Sequence, residues 1–371
     1  PEAHINYVLK DSFYTRQLWA YGDGTGTLEI EEGFLADRTK GGRVEDAFGT
    51  IRLNGVNLIT HHSRNLPFNT RPDGRGAFYP NGHIVWEKQK GSVWTVKTKP
   101  HIYRAQLDFH VDGTIDTQTH LVHAGQKRVT SARMIGGVFV STGAFRTCAP
   151  GVTITKTGPA MLSLEGQQGY YPDSVIAVEE GVLKMSTNPS KGYRYDKNAG
   201  AFLTIKAKNK SVVLLSAELV ELEEIQMDGN SILYTFDDTE IRASKGIKIG
   251  PQARIDAKGT YLADMEVLGT LELSFGSAIK VDGHLKIAGT LQLNVHSKKL
   301  LKAKPESVQL IKAKELTGKF QGLSEGASIT IAGGQVTGTI HYSKSGVQVK
   351  NITYQPRKKK KNKKKKKNKN K

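Results

Sequence analysis

The sequence predicts an all-β protein built as a parallel β-helix, a solenoid of short stacked coils, and three observations predict it. Apolar and polar residues alternate in phrases of a few residues, as in "VLGTLELSFGSAIKVDGHLKIAGTLQL" over 267–293, which is the period of a half-buried strand rather than of a helix. Glycine closes almost every phrase, at 246, 250, 259, 269, 276, 283 and 289, where the chain has to turn. Gly269-Thr270-Leu271 and Gly289-Thr290-Leu291 stand twenty residues apart, with Gly259-Thr260 ten residues ahead. A period near twenty marks units that bury their apolar faces only by stacking on their neighbours. The rival arrangement is an antiparallel sandwich or barrel, whose hairpins also give short strands, but hairpin dipeptides such as Asn-Gly are scarce here.

Composition bounds what such a chain can be. With 371 residues, 39 glycines and 12 prolines, it is long enough for one large core or two ordinary ones and has no collagen-like period. The net charge of +19 suggests a nucleic-acid binder until it is located. Residues 357–371 hold 12 Lys or Arg and no acid, so the remainder carries 42 basic against 35 acidic side chains, a net +7. One cysteine, Cys148, excludes an internal disulfide framework and a four-cysteine zinc site; a buried structural thiol is expected rather than a nucleophile. No stretch approaches the ~20 apolar residues that span a bilayer. The chain opens on Pro1 without a basic region followed by an apolar run, the pattern expected of a processed product or a fragment.

In chain order, residues 1–150 read as less regular β structure. "GTGTLEIEEGFL", "AFGTIRLNGVNLITHH" and "GHIVWEKQKGSVWTVKTK" repeat the alternating habit and predict N-terminal coils of the same solenoid, with a separate domain as the alternative. "HHSRNLPFNTRPDGRGAFYPNG", 61–82, is a loop excursion by its prolines, glycines and polar density. Residues 151–355 read as the regular stalk, with Leu271, Leu273, Ile279, Val281, Leu285, Ile287, Leu291 and Leu293 mostly inward. Residues 356–371, "PRKKKKNKKKKKNKNK", have no apolar side chain beyond the proline and are expected to be disordered.

Within the stalk, "ITKTGPAMLSLEGQQGYYPDSVIAVEEGVLKMS", 154–186, resembles the passenger-associated repeat of autotransporter proteins. Lys156 and Gly158 match its Lys-x-Gly opening, and Leu162, Leu164 and Gly166 its Leu-x-Leu-x-Gly strand. Tyr170 or Tyr171 takes the aromatic turn, Val175 to Val178 the next strand, and Gly181, Leu183 and Met185 the closure. Tyr171-Pro172-Asp173 stands where the family commonly has Gly-Gly or Thr-Gly. More loosely, 261–293 and "LIKAKELTGKF" are similar to the last coils of the stalk in subtilisin-like autotransporters. The resemblance covers about 150–350 and implies a right-handed β-helix, secreted or displayed on a bacterial cell surface, usually followed by a membrane β-barrel. The 17 residues after Tyr354 are too few for a barrel of eight strands, so a released passenger or an architectural likeness alone is expected. The family's Gly-Thr-Ser-x-x-x-Pro nucleophile phrase is missing; "VFVSTGAF" around Ser141 lacks the proline, and no protease activity is transferred.

Candidate chemistry is sparse. In "LDFHVDGTIDTQTHLVH", alternation puts Asp108, His110 and Asp112 on one strand face, where carboxylate and imidazole could hold a divalent metal with Asp116, His120 or His123; the alternative is a solvated face. His61, His62 and Arg64, beside Arg71, Asp73 and Arg75, form a second polar group. Trp19, Trp86 and Trp94, with Tyr170 and Tyr171, read as exposed aromatics able to stack on sugar rings. Asp108 with Asp112, Asp173, Asp237 with Asp238 and Glu179 with Glu180 offer carboxylates for glycoside chemistry, which needs a set separation across a cleft. Asn209 and Asn351 begin Asn-x-Ser/Thr phrases.

None of these identifies a reaction, and no catalytic residue, cofactor or metal ligand is assigned. The expected function is a monomeric, non-catalytic adhesive or structural module that contacts a glycan or a host surface receptor. Its ligand-contact candidates are His61, His62, Arg64, Asp108, His110, Asp112, Trp86 and Trp94. The alternatives are a β-helical polysaccharide-processing enzyme and the stalk of an autotransporter protease without its catalytic domain. In the tail, Arg357, Lys358, Lys359, Lys360 and Lys361 are expected to attract polyanions without selecting among them, unless the run is the product of an A-rich reading frame.

Overall fold

The computed structural model describes residues 6–9, 13–14, 17–21, 27–30, 34–35, 50–60, 83–96, 101–103, 106–118, 138–141, 145–164, 168–186, 202–295, 303–331 and 334–355. These segments form strands that join, apart from one small pair, into three large sheets of nineteen, nine and six strands. From residue 145 the chain visits the three in rotation. Phe145–Thr147 lies in the six-stranded sheet, Thr153–Thr157 in the nineteen-stranded one and Met161–Leu164 in the nine-stranded one; then Gln168–Gly169, Ser174–Val178 and Val182–Met185 repeat the order. Each visit pairs in parallel with the one before, Phe145 opposite Gln168, Thr153 opposite Val175 and Met161 opposite Val182. Adjacent strands of a sheet are therefore about one circuit apart in sequence, so the spacing read from the sequence is a pairing register. Thr270 faces Thr290, Leu271 faces Leu291 and Leu273 faces Leu293.

The long sheet carries this pairing across residue 150. Asn57–Thr60, Val93–Val96, Gly113–Thr117 and Thr153–Thr157 are parallel neighbours in that order, so the described strands on both sides of 150 share one sheet. Beyond Leu203 the six-stranded sheet has ended, and a second ladder of the long sheet takes its place through Leu219–Leu222, Glu240–Ala243 and Thr260–Leu262. Both ladders of the long sheet run into the single strand Ile279–Ile287, where Val281 pairs with Tyr261 and Leu285 with Met265.

Parallel register turns alternation into ladders of like residues. Leu183, Val213, Leu233, Ile255, Leu271 and Leu291 stand opposite one another in succession; a second ladder runs Ile154, Ile176, Ile205, Ile225, Ile247, Met265 and Leu285. All but Leu291 are buried, and each such side chain contributes about 1.5–3 kcal/mol by leaving water. Leu271, Leu273, Ile279, Val281, Leu285 and Ile287 point inward as expected, while Leu291 and Leu293 are half-buried because Thr290–Asn294 is the last strand of its sheet.

The glycines follow from the same stacking. At the corner where the chain leaves the long sheet for the nine-stranded one, successive turns carry Gly158, Gly181, Asn209, Gly229, Gly250, Gly269 and Gly289. A β-carbon on Gly289 would lie 1.7 Å from the Gly269 carbonyl oxygen, and one on Gly269 would lie 2.3 Å from that of Gly250. At Gly269 and Gly289 successive corners touch backbone to backbone and exclude a side chain by contact, whereas the earlier corner at Asn209 admits one.

The last four strands correct the expectation of a parallel stalk to residue 355. Val308–Gly318 still pairs in parallel with Ile279–Ile287, but its other edge pairs antiparallel with Gly346–Tyr354; that strand pairs antiparallel with Val336–Ser343, which pairs likewise with Ser328–Ile331. Three of these strands run to 8, 9 and 11 residues, longer than the three to five of most coil strands, and the two-residue turn Lys344-Ser345 joins Ser343 to Gly346, which is hairpin geometry. A parallel stack ends in an open edge, and such edges require a terminal element of different build.

Candidate functional site

The metal-ligand pattern of 107–123 is described only as far as Gln118, with His120 and His123 outside the described residues, and the described part does not converge. The strand ends at Phe109 and the next begins at Gly113, so His110 to Asp112 form a bend and do not continue the alternation. Asp108 is buried and takes both ends of the Arg146 guanidinium, at 2.7 Å from Nε and 2.6 Å from Nη2. Asp112 accepts the Thr153 amide at 2.8 Å and the Lys90 ammonium at 2.9 Å. His110 is exposed, and Asp116 receives the Gln118 amide at 2.8 Å. Among the described residues no three His, Cys, Asp or Glu side chains converge as a metal site would require. Cys148 follows Arg146 closely, and burial together with the Asp108 charge pushes its thiol up to about 11, away from nucleophilic use at neutral pH.

The aromatic candidates are also corrected. Trp86 and Trp94 are fully buried, as is Tyr170 to within a few per cent. Trp86 stacks on Phe109 with ring centroids 4.0 Å apart and planes 16° from parallel; Phe145 lies 5.6 Å from Phe109, and Tyr170 lies 6.4 Å from Phe145. The indole of Trp86 donates to the Ser92 carbonyl at 3.0 Å, and the Tyr170 hydroxyl to Gln168 Oε1 at 2.8 Å. These rings fill the core behind the six-stranded sheet, where the aliphatic ladders of later coils have their counterpart. The signal was present in phase: Trp86 falls two residues after Ile84 and Phe109 two after Leu107, all inward. Tyr171 does remain half-exposed. His61, His62, Arg64 and the side chain of Trp19 lie outside the described residues, as do Arg357, Lys358, Lys359, Lys360 and Lys361.

The carboxylate pairs do not meet across a cleft. Glu179 pairs with Lys208 at 2.7 Å. Glu180 and Asp173 are exposed, and Asp237 and Asp238 share an exposed turn.

A residue that the sequence reading passed over as chemistry is Lys156. It sits on Thr153–Thr157 at an inward position and is buried, and its ammonium donates to three carbonyls, Thr157 at 2.8 Å, Gly158 at 2.6 Å and Glu180 at 2.9 Å. The acceptors belong to turns of two successive circuits, so one cation ties adjacent corners. A lysine ammonium has three N–H donors and a neutral amine two, so only the charged form fills all three sites. Burial nevertheless pulls its pKa down to about 7, with Asp116 and Glu180 pulling the other way. Its partners are all occupied, which makes it a structural clamp.

What the fold presents outward is an extended charged face on the long sheet. Gln226, Lys248, Glu266 and Lys286 stand in one column across neighbouring strands. Lys286 pairs with Glu266 at 2.7 Å, Lys248 with Glu224 at 2.7 Å, and Arg242 with Glu221 at 3.1 Å and Glu240 at 2.7 Å; Lys245 pairs with Glu223. The basic side chains of this part are largely neutralised across strands. Comparison with known protein families, curated proteins and solved structures returned no match. No helix among the described residues is long and apolar enough to cross a membrane.

Proposed function

We propose that the protein is a right-handed parallel β-helical module of the passenger type, displayed on or released from a bacterial surface, which acts by adhesion through its outer faces and not by catalysis. The observation that carries this reading is the chain's rotation through three sheets with in-register parallel pairing. That pairing makes a long rigid scaffold whose outer columns of side chains repeat strand by strand. Such a surface suits many weak, regularly spaced contacts with a polymer or a cell surface. The Lys156 clamp gives the Lys-x-Gly phrase of the passenger-associated repeat a physical purpose, which supports the likeness to that family. Of the candidate polar groups, Asp108, Asp112 and Glu179 are engaged in ion pairs or backbone hydrogen bonds, in keeping with a scaffold role.

A glycan array read in parallel with a turnover assay on every bound glycan tests the proposal. Binding without release of product is the expected result. Cleavage of a bound glycan would overturn it in favour of the polysaccharide-processing alternative.

A further inference from the structure

The charge pairing that runs along the long sheet stops at its C-terminal end. Parallel register sets Lys280 directly opposite Lys312, and like charges in directly opposed positions repel. Lys314 is exposed two residues further along the same strand, and Lys344 is exposed at the hairpin tip, where its carbonyl accepts the Leu316 amide at 2.8 Å. Among the described residues no ion pair or side-chain hydrogen bond engages the four ammonium groups, in contrast with Lys245, Lys248 and Lys286 earlier in the sheet. The acids nearby are Asp282 and Glu315, the latter opposite His284 in the register; Glu325 is occupied by His341 at 2.7 Å and by the Tyr342 amide at 2.7 Å.

We propose that Lys280, Lys312, Lys314 and Lys344 form a docking face for a linear anionic polysaccharide, carrying sulfate or carboxylate groups. Neighbouring strands lie ~4.8 Å apart and alternate residues of one strand ~6.8 Å apart, so the ammonium groups make a shallow row, without a pocket, that a chain of regularly spaced anions can lie along. The large exposed apolar side chains among the described residues are Tyr171, Phe236 and Leu268, and none belongs to this face. It therefore offers neither the stacking platform that single-stranded nucleic acid uses nor the apolar edge that inserts into a bilayer. Nor does it project a helix or ribbon for a DNA groove. This deepens the adhesive reading, on which it rests, by naming the chemistry of its ligand.

The test uses the full chain with its basic C-terminal residues intact. One variant replaces Lys280, Lys312, Lys314 and Lys344 with Gln; a second removes the same number of charges elsewhere, through Lys88→Gln, Lys206→Gln, Lys210→Gln and Lys258→Gln. Thermal unfolding establishes that both fold, and heparin binding is measured across a salt series. The first variant is expected to lose about tenfold in heparin affinity at low salt and to show a shallower salt dependence, with the second losing less than about threefold. Equal losses would overturn the proposal, because binding would then follow total charge. A loss confined to duplex DNA, with heparin unaffected, would overturn it in favour of nucleic acid. If a glycan array found only neutral glycans bound, this inference would fail while the adhesive reading stood.

Discussion

The strands from Leu203 to Asn294 and those from Val308 to Tyr354 use the same alternation of apolar and polar residues, yet they meet the open edge of a β-sheet in opposite ways. In the first region most strands are short and turn at tight corners, and all but Thr290–Asn294, the last of its sheet, are covered by the strand one circuit later. In the second, longer strands fold back on one another as hairpins, and among the described residues no further strand stacks on them. The difference lies in what sits at the turns. Where Gly250, Gly269 and Gly289 pack carbonyl to α-carbon, the next circuit can approach closely. Around Gly322, Gly326 and Gly334, whose φ angles are positive and whose α-carbons have open space beside them, glycine serves the turn alone. Alternation therefore specifies strands, and close-packed glycine corners accompany the stack, although Gly346 beside the hairpin turn is crowded as well, its β-carbon position 2.2 Å from the Ile311 carbonyl oxygen.

The largest expected effect separates these two uses of glycine. Gly289→Val would place a side chain into the Gly269 carbonyl, and the variant should lose more than ~4 kcal/mol or fail to fold. Gly322→Ala, with φ +73° and no neighbouring atom within 4 Å, should lose only about 1–2 kcal/mol from its left-handed backbone. Urea unfolding of the two variants measures both, and similar losses would erase the distinction.

Lys156 gives the next effect and belongs to the parallel stack ahead of Leu203. Its folded pKa of about 7 lies below the ordinary lysine value of 10.5, so unfolding takes up a proton between those two values. Stability should accordingly rise with pH across that window, by up to ~1.4 kcal/mol per pH unit, with no slope from this group below about 7, where it is charged in both states. Lys156→Met should flatten that rise in denaturant titrations taken from pH 6 to pH 10; an unchanged slope would show that the amine stays charged in its cage of carbonyls.

The smallest effect contrasts charges on the two sides of Ile279–Ile287. Lys312→Gln relieves the opposition to Lys280 and should raise stability by about 0.2–1 kcal/mol, whereas Lys286→Gln breaks its pair with Glu266 and should lower it by a similar or smaller amount. Both changes should shrink in high salt, and thermal melts at two ionic strengths would show it.

Much of this fold was legible because a two-residue period and a twenty-residue spacing are both local statements about the chain. The inward set from Leu271 to Ile287 and the parallel pairing of Thr270 with Thr290 follow from them. The reversal after Val308 was harder to see, since the alternation in "VQLIKAKELTG" and "GVQVKNITY" is the same as in the stack; the two-residue turn before Gly346 and the greater strand length were the available signs. The candidate site was less legible. Residue type alone suggests exposed sugar-stacking rings at Trp86 and Trp94, whereas their phase with Ile84 and with the inward positions of their strands puts them in the core. Asp108, His110 and Asp112 were joined by an alternation that ends at Phe109, because sequence does not say where a strand stops. The importance of Lys156 depends on carbonyls contributed by turns more than twenty residues apart, and that of Lys280 and Lys312 on a register that no local pattern reveals.

The central claim is that strands one circuit apart lie parallel and in register, and a pair of engineered cysteines tests it most directly. In a Cys148→Ser background, Thr270→Cys with Thr290→Cys places two thiols at positions whose hydroxyls now lie 2.9 Å apart, within the reach of a disulfide. Thr270→Cys with Asn294→Cys joins the positions that would face each other if the two strands formed an antiparallel hairpin, but in the parallel register they are separated by four residues, or about 13 Å. Mild oxidation followed by peptide mass spectrometry should give the 270–290 cross-link readily and little of the 270–294 one. The reverse outcome would contradict the stacked parallel fold and the readings built on it.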